Sequence, residues 1–235
     1  MEEYIAGVTE LLLLYEQEYP NPTAKISTAI EKLDLNFVLE DMGKIVNSLQ
    51  LGSERIQNLS NSLRNFSRSD SDTKIPADLH QGIDSTLMIL QHRLKANGDR
   101  PGIEVIKSYG VLPKVNCYLG QMNQVFMNIL ANAIDALDEA IMQGKMSNLI
   151  PEIKIATEAD SEQLVIIRIA DNGTGIPERL KKRLFEPLFT TKTVGKGTGL
   201  GLSIAYEIVV EKHKGVLDVN SQPGMGTEFI IKIPI

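Results

Sequence analysis

The sequence predicts an α+β protein in two parts: a helical hairpin, then a mixed sheet with helices layered on one face. Three observations lead there. Apolar residues recur at helical spacing through the N-terminal third. From about residue 76, short β-branched runs alternate with amphipathic helical stretches. The charge also divides near that point: residues 1–72 hold 12 acidic and 6 basic side chains, and residues 73–235 hold 18 of each. An acidic first third and a neutral remainder argue against nucleic-acid binding by charge.

Each element has a local reason. Tyr4–Tyr19 reads as a first helix, ended by Pro20-Asn21-Pro22. Residues 32–68 read as one long helix, with Met42, Val46, Leu49, Ile56, Leu59, Leu63 and Phe66 at steps of three, four or seven. So narrow a stripe suits a bundle, and two helices alone bury little, so a homodimer through the hairpin is expected. The Ser- and Asp-rich stretch 68–76 reads as a linker, which sets the expected domains at 1–72 and 73–235. Residues 78–95 form a helix with Ile83, Leu87, Leu90 and Leu94 on one face. Short strands follow at 103–107 and 113–117, a strong helix at 119–142, paired strands at 152–158 and 164–170, and a helix at 199–212. The end, 215–220 and 227–234, reads as a hairpin turned by Gln222-Pro223-Gly224. No segment approaches the roughly 20 apolar residues of a membrane span, so no membrane contact is expected. The single cysteine, Cys117, fits a reducing, cytoplasmic setting. One cysteine and three scattered histidines (His80, His92, His213) offer no metal-ligand spacing.

Four stretches carry candidate chemistry. In 124-QVFMNILANAIDAL-137, Asn128, Asn132 and Asp135 share one helical face beside an apolar stripe. Asparagine is a mediocre helix former, so two on one face are either solvated or serve as hard oxygen donors, which Mg²⁺ accepts together with substrate phosphates. In 171-DNGTGIP-177, directly after a strand, Asp171 could accept a hydrogen bond from an exocyclic amine such as adenine's, with Gly175 letting a flat ring approach the backbone. In 184-LFEPLFTTK-192, Phe185 and Phe189 are either core or the anchors of a moving loop, and Thr190, Thr191 and Lys192 suit phosphate oxygens. In 193-TVGKGTGLGLSIAYEIVV-210, glycines at 195, 197, 199 and 201 precede a helix. That stretch is either a linker or a loop of bare amides facing a phosphate chain. It matches neither GxxxxGK[ST] nor GxGxxG, because Leu200 occupies the third glycine position of the latter.

Taken in order, NxxxNAxDA, DNGTGI, LFEPLFTTK, GKGTGLGL and a final GMGTEF resemble the ATP-binding domain of sensor histidine kinases, in the GHKL ATPase superfamily. The resemblance covers about 74–235. The wording of 61-NSLRNFSR-68 and 83-IDSTLMILQHRLK-95 is also similar to bacterial, particularly cyanobacterial-type, kinases with a dimerisation hairpin ahead of the catalytic domain. The resemblance implies an α/β sandwich of the GHKL (Bergerat) type, holding ATP under a flexible lid at about 177–200. It implies that Asn132 binds Mg²⁺ with Asn128 nearby as a catalytic residue, and that Asp171 holds the adenine amine. Gly173, Gly175 and Ile176 would shape that pocket, and Thr227 would assist through a water. Asp135, Phe185, Thr190, Thr191, Lys192, Lys196, Gly197, Thr198, Gly199, Leu200 and Gly201 would complete the nucleotide and phosphate contacts, with Lys192 also catalytic. It further implies a response-regulator receiver domain as partner.

One departure stands out. The family transfers phosphate to a histidine early in the first hairpin helix, and residues 1–72 contain no histidine. The segment 2-EEYIAGVTELLLLYEQEYP-20 resembles the later half of that helix, so the chain is expected to begin downstream of the acceptor and not to phosphorylate itself.

Overall fold

The computed structural model describes residues 2–33, 37–38, 41–42, 44–46, 48–49, 52–53, 73–98, 100–146, 149–160, 163–190 and 199–235. The chain divides into two compact units, Met1–Ser60 and Asn61–Ile235. In the first, α1 spans Glu2–Glu18 and α2 spans Ala24–Leu33. Helix α2 starts eight residues ahead of the expected position. Pro22 closes the turn, and the Thr23 carbonyl then accepts the Ile26 and Ser27 N–H groups at 2.8 and 3.0 Å, so the helix begins there. The described residues between 37 and 53 are helical too, whereas 54–68 and the expected linker up to 72 lie outside the described residues. Val8, Leu11 and Leu14 of α1 are half or more exposed, as befits a stripe awaiting a partner helix.

The second unit opens with β1 (Ile75–Ala77), α3 (Leu79–Ile89) and α4 (Gln91–Leu94), followed by β2 (Glu104–Tyr109) and β3 (Val115–Cys117). Next come α5 (Leu119–Met142), β4 (Glu152–Ala159), β5 (Leu164–Asp171) and α6 (Glu178–Lys181). The chain ends with α7 (Gly201–Tyr206), a π-helical continuation over Glu207–Lys212, β6 (Val216–Gln222) and β7 (Gly226–Pro234). The main sheet runs β2-β4-β5-β7-β6, with β2 parallel to β4 and every other pair antiparallel. It is therefore mixed, as expected for this class.

Three details depart from the sequence reading. The expected strand 113–117 is not in the main sheet; as β3 it pairs with β1, which lies where a linker was expected. The helix expected at 78–95 breaks at Leu90 into α3 and α4. The last helix changes from α to π at Glu207, and its end is fixed by His213 N–H to the Ile208 carbonyl (3.1 Å) and Gly215 N–H to the Val209 carbonyl (2.9 Å).

One face of the sheet carries the core. Along β4, β5 and β7 every second residue is buried: Ile153 and Ile155; Val165, Ile167 and Ile169; Phe229, Ile231 and Ile233. Helix α5 meets them with Met122, Val125, Phe126, Ile129, Leu130, Ala133, Ile134 and Leu137, all 5% exposed or less. Fully burying a Leu, Ile or Phe side chain stabilises by about 1.5–3 kcal/mol, so this layer fixes α5 against the sheet. The remaining face of α5, with Asn128, Asn132, Asp135 and Ala136 half-buried, is left at the edge of the core.

Candidate functional site

The site begins with strand register. Ile153, Asp171, Thr227 and Ser221 are direct neighbours across β4, β5, β7 and β6, so the last three form a polar row on the helix-facing side of the sheet. All three are buried. Burial pushes the Asp171 carboxyl up to about 6, although hydrogen bonds from the Gly173 and Thr227 backbones pull the other way; the Gly173 N–H lies 2.8 Å from Oδ1. The Ser221 hydroxyl donates to the Gly226 carbonyl (2.8 Å) and accepts the Ile176 N–H (2.8 Å). With its one hydrogen committed, the 3.0 Å contact to Thr227 Oγ1 has Thr227 as donor, which leaves the Thr227 oxygen as an acceptor.

Glycines let the turn after β5 dock. A Cβ on Gly173 would stand 2.9 Å from the Ala136 backbone carbon, so this turn lies directly against α5. Gly175 has φ +68°, and a Cβ there would collide with the Gln222 carbonyl. Gly226, at φ +87°, would likewise collide with the Asp171 carbonyl. Asn172 bridges outward: its Oδ1 accepts the Glu152 N–H and its Nδ2 donates to the Ile150 carbonyl, both at 2.9 Å. Asp171 is thereby fixed where the sheet end meets α5, and the space between the two is the candidate cleft.

The other wall comes from the glycine-rich segment. Asn128 Nδ2 donates to the Gly201 carbonyl (2.8 Å), which ties α5 to the first turn of α7. Gly199 has φ +67° and no room for a Cβ against the Leu188 backbone, so the C-terminal end of the expected lid packs on its middle there. Leu188 itself has φ +65° and is 72% exposed. Phe185 packs on Tyr206 with ring centroids 5.3 Å apart, and Arg183 lies 4.5 Å from the Phe189 ring. Phe185 joins the edge of the core from within the expected lid segment. The lid segment is not wholly loop, since α6 lies within it.

The structure thus brings together Asn128, Asn132, Asp171, Gly173, Gly175, Ile176, Thr227, Gly199, Leu200 and Gly201 around α5 and the sheet end. Thr190 lies exposed beside them in sequence order at the lid. Thr191, Lys192, Lys196, Gly197 and Thr198 lie outside the described residues. Asp135 has a particular partner, Arg93 Nη2 at 2.6 Å. Sequence reasoning missed Ser221, Gly226, Asn172 and Arg93. Ser221 could have been found by pairing the final hairpin through its Pro223-Gly224 turn, which sets it opposite Thr227; Arg93 gave no local signal.

The donor set suits a small hard cation. Among the described residues no three His, Cys, Asp or Glu side chains gather into a metal cage. Asn128 has committed its amide nitrogen to Gly201, which directs carboxamide chemistry, not carboxylate chemistry, to this face. One or two such oxygens beside a phosphate chain are what Mg²⁺ accepts, and Asn132 with Asn128 fits that role.

A buried carboxylate at a strand end, an Asn-bearing helix beside it and a glycine hinge leading into a helix define a nucleotide-binding ATPase domain. Residues 119–235 match the family described as histidine kinase-, DNA gyrase B- and HSP90-like ATPases. Sporulation kinase E of Bacillus subtilis is 40% identical over 124 residues, covering 53% of this chain and 15% of the relative. The signal transduction histidine-protein kinase AtoS of Escherichia coli is 30% identical over 245 residues, covering 99% of this chain and 36% of the relative. Among solved structures, the nucleotide-free catalytic domain of histidine kinase ThkA superimposes with TM-score 0.54 at 28% identity, covering 67% of this chain and 93% of that one. The chain belongs to the sensor histidine kinases of the GHKL ATPase superfamily.

Proposed function

We propose that residues 73–235 bind Mg-ATP and transfer its γ-phosphoryl group to a histidine on a dimerisation hairpin, of which residues 1–72 form a part. The observation that carries this reading is the buried Asp171, held by the Gly173 and Thr227 backbones in a row with Thr227 and Ser221, beside a turn that docks on Ala136 of α5. Asp171 accepts the adenine amine. A ligand lacking that donor would leave a buried carboxylate unpaired, which is how the site distinguishes adenine. Thr227 offers its oxygen through a water, and Gly173, Gly175 and Ile176 keep the ring close to the backbone. Asn132 would hold Mg²⁺, which supplies neutralisation of phosphate charge. Asn128, through its bond to Gly201, sets the start of α7 where the phosphates pass. Lys192, Lys196, Thr190, Thr191, Thr198 and the amides of Gly197, Gly199 and Gly201 supply cations and donors from the lid, with Phe185 and Leu200 at its roots. Catalysis in this scheme is positioning and charge compensation with little covalent work by the protein. The partners are a second copy of the chain, through the apolar stripes of the hairpin, and a receiver domain, in a cytoplasmic setting.

The histidines define the test. His80 is stacked on Tyr109 with centroids 4.3 Å apart, His213 is buried, and neither they nor His92 lie in residues 1–72. With labelled ATP the chain alone should form no acid-labile phosphohistidine, and an added hairpin carrying a histidine should become labelled. Stable self-labelling would overturn the scheme. A second reading is an ATP-binding regulatory module without kinase activity; nucleotide binding with no transfer to the added hairpin would support it.

A further inference from the structure

We propose that Arg93, which lies outside the five nucleotide-binding motifs, is a nucleotide-positioning residue that makes the Asp135 face of α5 compatible with a polyphosphate. The inference rests on the nucleotide reading of the Asp171 cleft. At about 100° per residue, Asn128 and Asp135 lie within about 20° of one another around α5, with Asn132 about 40° to one side of Asn128. Ala136, which meets the Gly173 turn, lies further to that same side. Asn132 therefore stands between two flanks: the Gly173 turn on one, Asp135 on the other.

A carboxylate on that flank opposes a triphosphate. Both are anionic, and in a half-buried cleft their repulsion is screened less than in water. The structure answers with Arg93 from α4. Its Nη2 lies 2.6 Å from Asp135 Oδ1 and 3.6 Å from Asp138 Oδ2, and both carboxylates lie about one-third exposed or less. Arg100 takes up Asp138 from the far side, with Nε 2.5 Å from Oδ1 and Nη1 3.0 Å from the Lys95 carbonyl. Asp138 is thus shared between Arg100 and Arg93, and Arg93 also reaches Asp135. The break at Leu90 has a use here: it turns α4 so that Arg93 lies over α5. A guanidinium bonded to one carboxylate keeps further N–H donors, so Arg93 can neutralise Asp135 and still face phosphate oxygens.

The test compares Mg-ATP, Mg-ADP and AMP binding by calorimetry in the full chain and in Arg93→Met, Asp135→Asn, the double variant and Arg93→Lys, with thermal unfolding as a folding control. Arg93→Met should lose about tenfold in ATP affinity while AMP affinity stays within about twofold, because only the longer anion reaches the exposed carboxylate. Asp135→Asn, although the resemblance places Asp135 among the phosphate contacts, removes the opposing charge and should bind ATP more tightly than the parent; weaker binding would overturn the proposal. The double variant should recover most of the loss, and Arg93→Lys should recover part of it. Equal losses for ATP and AMP, or no recovery in the double variant, would overturn the proposal. If the parent chain binds none of the three nucleotides, the reading of the cleft itself fails; if it binds them and Arg93→Met matches it, only the role of Arg93 fails.

Discussion

Asp171 concentrates the residue-scale chemistry. A carboxyl with a pKa of about 6 is partly protonated in mildly acidic solution, and a protonated oxygen accepts poorly from an amine. Nucleotide affinity should therefore fall as pH drops from 7 to 5, with its midpoint near 6, and stay level above 7. Titration of a fluorescent ATP analogue across that range checks this. Asp171→Asn should bind at least tenfold more weakly at pH 7.5 and lose the pH dependence, because its amide presents a donor where the amine also donates. Unchanged affinity in this variant would remove adenine from the pocket. The aspartate's candidacy was readable from DNGTGI because it rests on residue type and local spacing. Ser221 was only half readable: the final hairpin sets it opposite Thr227, but nothing near it in sequence indicates that it also accepts the Ile176 N–H.

At the scale of elements, the glycines of the site separate into two kinds. Gly175 and Gly224 both have positive φ, but a Cβ on Gly224 meets nothing within 4 Å, whereas one on Gly175 meets the Gln222 carbonyl. Gly224→Ala should cost about 1–2 kcal/mol, the conformational penalty alone. Gly175→Ala must also push the turn off β6, so it should cost clearly more and weaken nucleotide binding as well. Denaturant unfolding of the two variants, with binding measured on each, tests the difference. Helix α5 was legible because 24 residues repeat one apolar stripe, and a long periodic signal outweighs local noise. The β1–β3 pair was not, since each strand has three residues and their partners are about 40 positions apart. The α-to-π change after Tyr206 is equally silent in sequence: a shift from i−4 to i−5 bonding is set by where His213 and Gly215 must dock.

For the whole molecule, His213 ties the end of the π-helical turn to the start of α5, 95 residues away. Its Nδ1 donates to the Ile208 carbonyl (2.7 Å), and its Nε2 accepts the Tyr118 N–H (3.1 Å), an arrangement only the neutral ring can make. Burial depresses its pKa, and Lys74 and Lys212 add to that. A depressed folded-state pKa means that its contribution to stability is present above about 6.5 and is lost as pH falls. Asp171, raised, acts with the opposite sign: its contribution is present below about 3.8 and is lost as pH rises through about 6. His213→Leu should cost about 1–3 kcal/mol at pH 8, by leaving the Tyr118 N–H unpaired while the Ile208 carbonyl keeps the backbone N–H of residue 213, and should flatten the decline below 6.5. Urea unfolding at several pH values measures both effects. By itself the sequence determined the α+β class, the strong helix, the final hairpin and the residue types able to hold adenine, Mg²⁺ and phosphate. These follow from periods of 2 and 3.6 residues and from motif spacing, all short-range properties. Only the tertiary structure decided that β3 leaves the main sheet for β1, that Asp171 joins the Thr227–Ser221 pair in one row, and that Arg93 answers Asp135. Those are pairings between distant segments, selected by which faces can be buried together, and no local pattern encodes them.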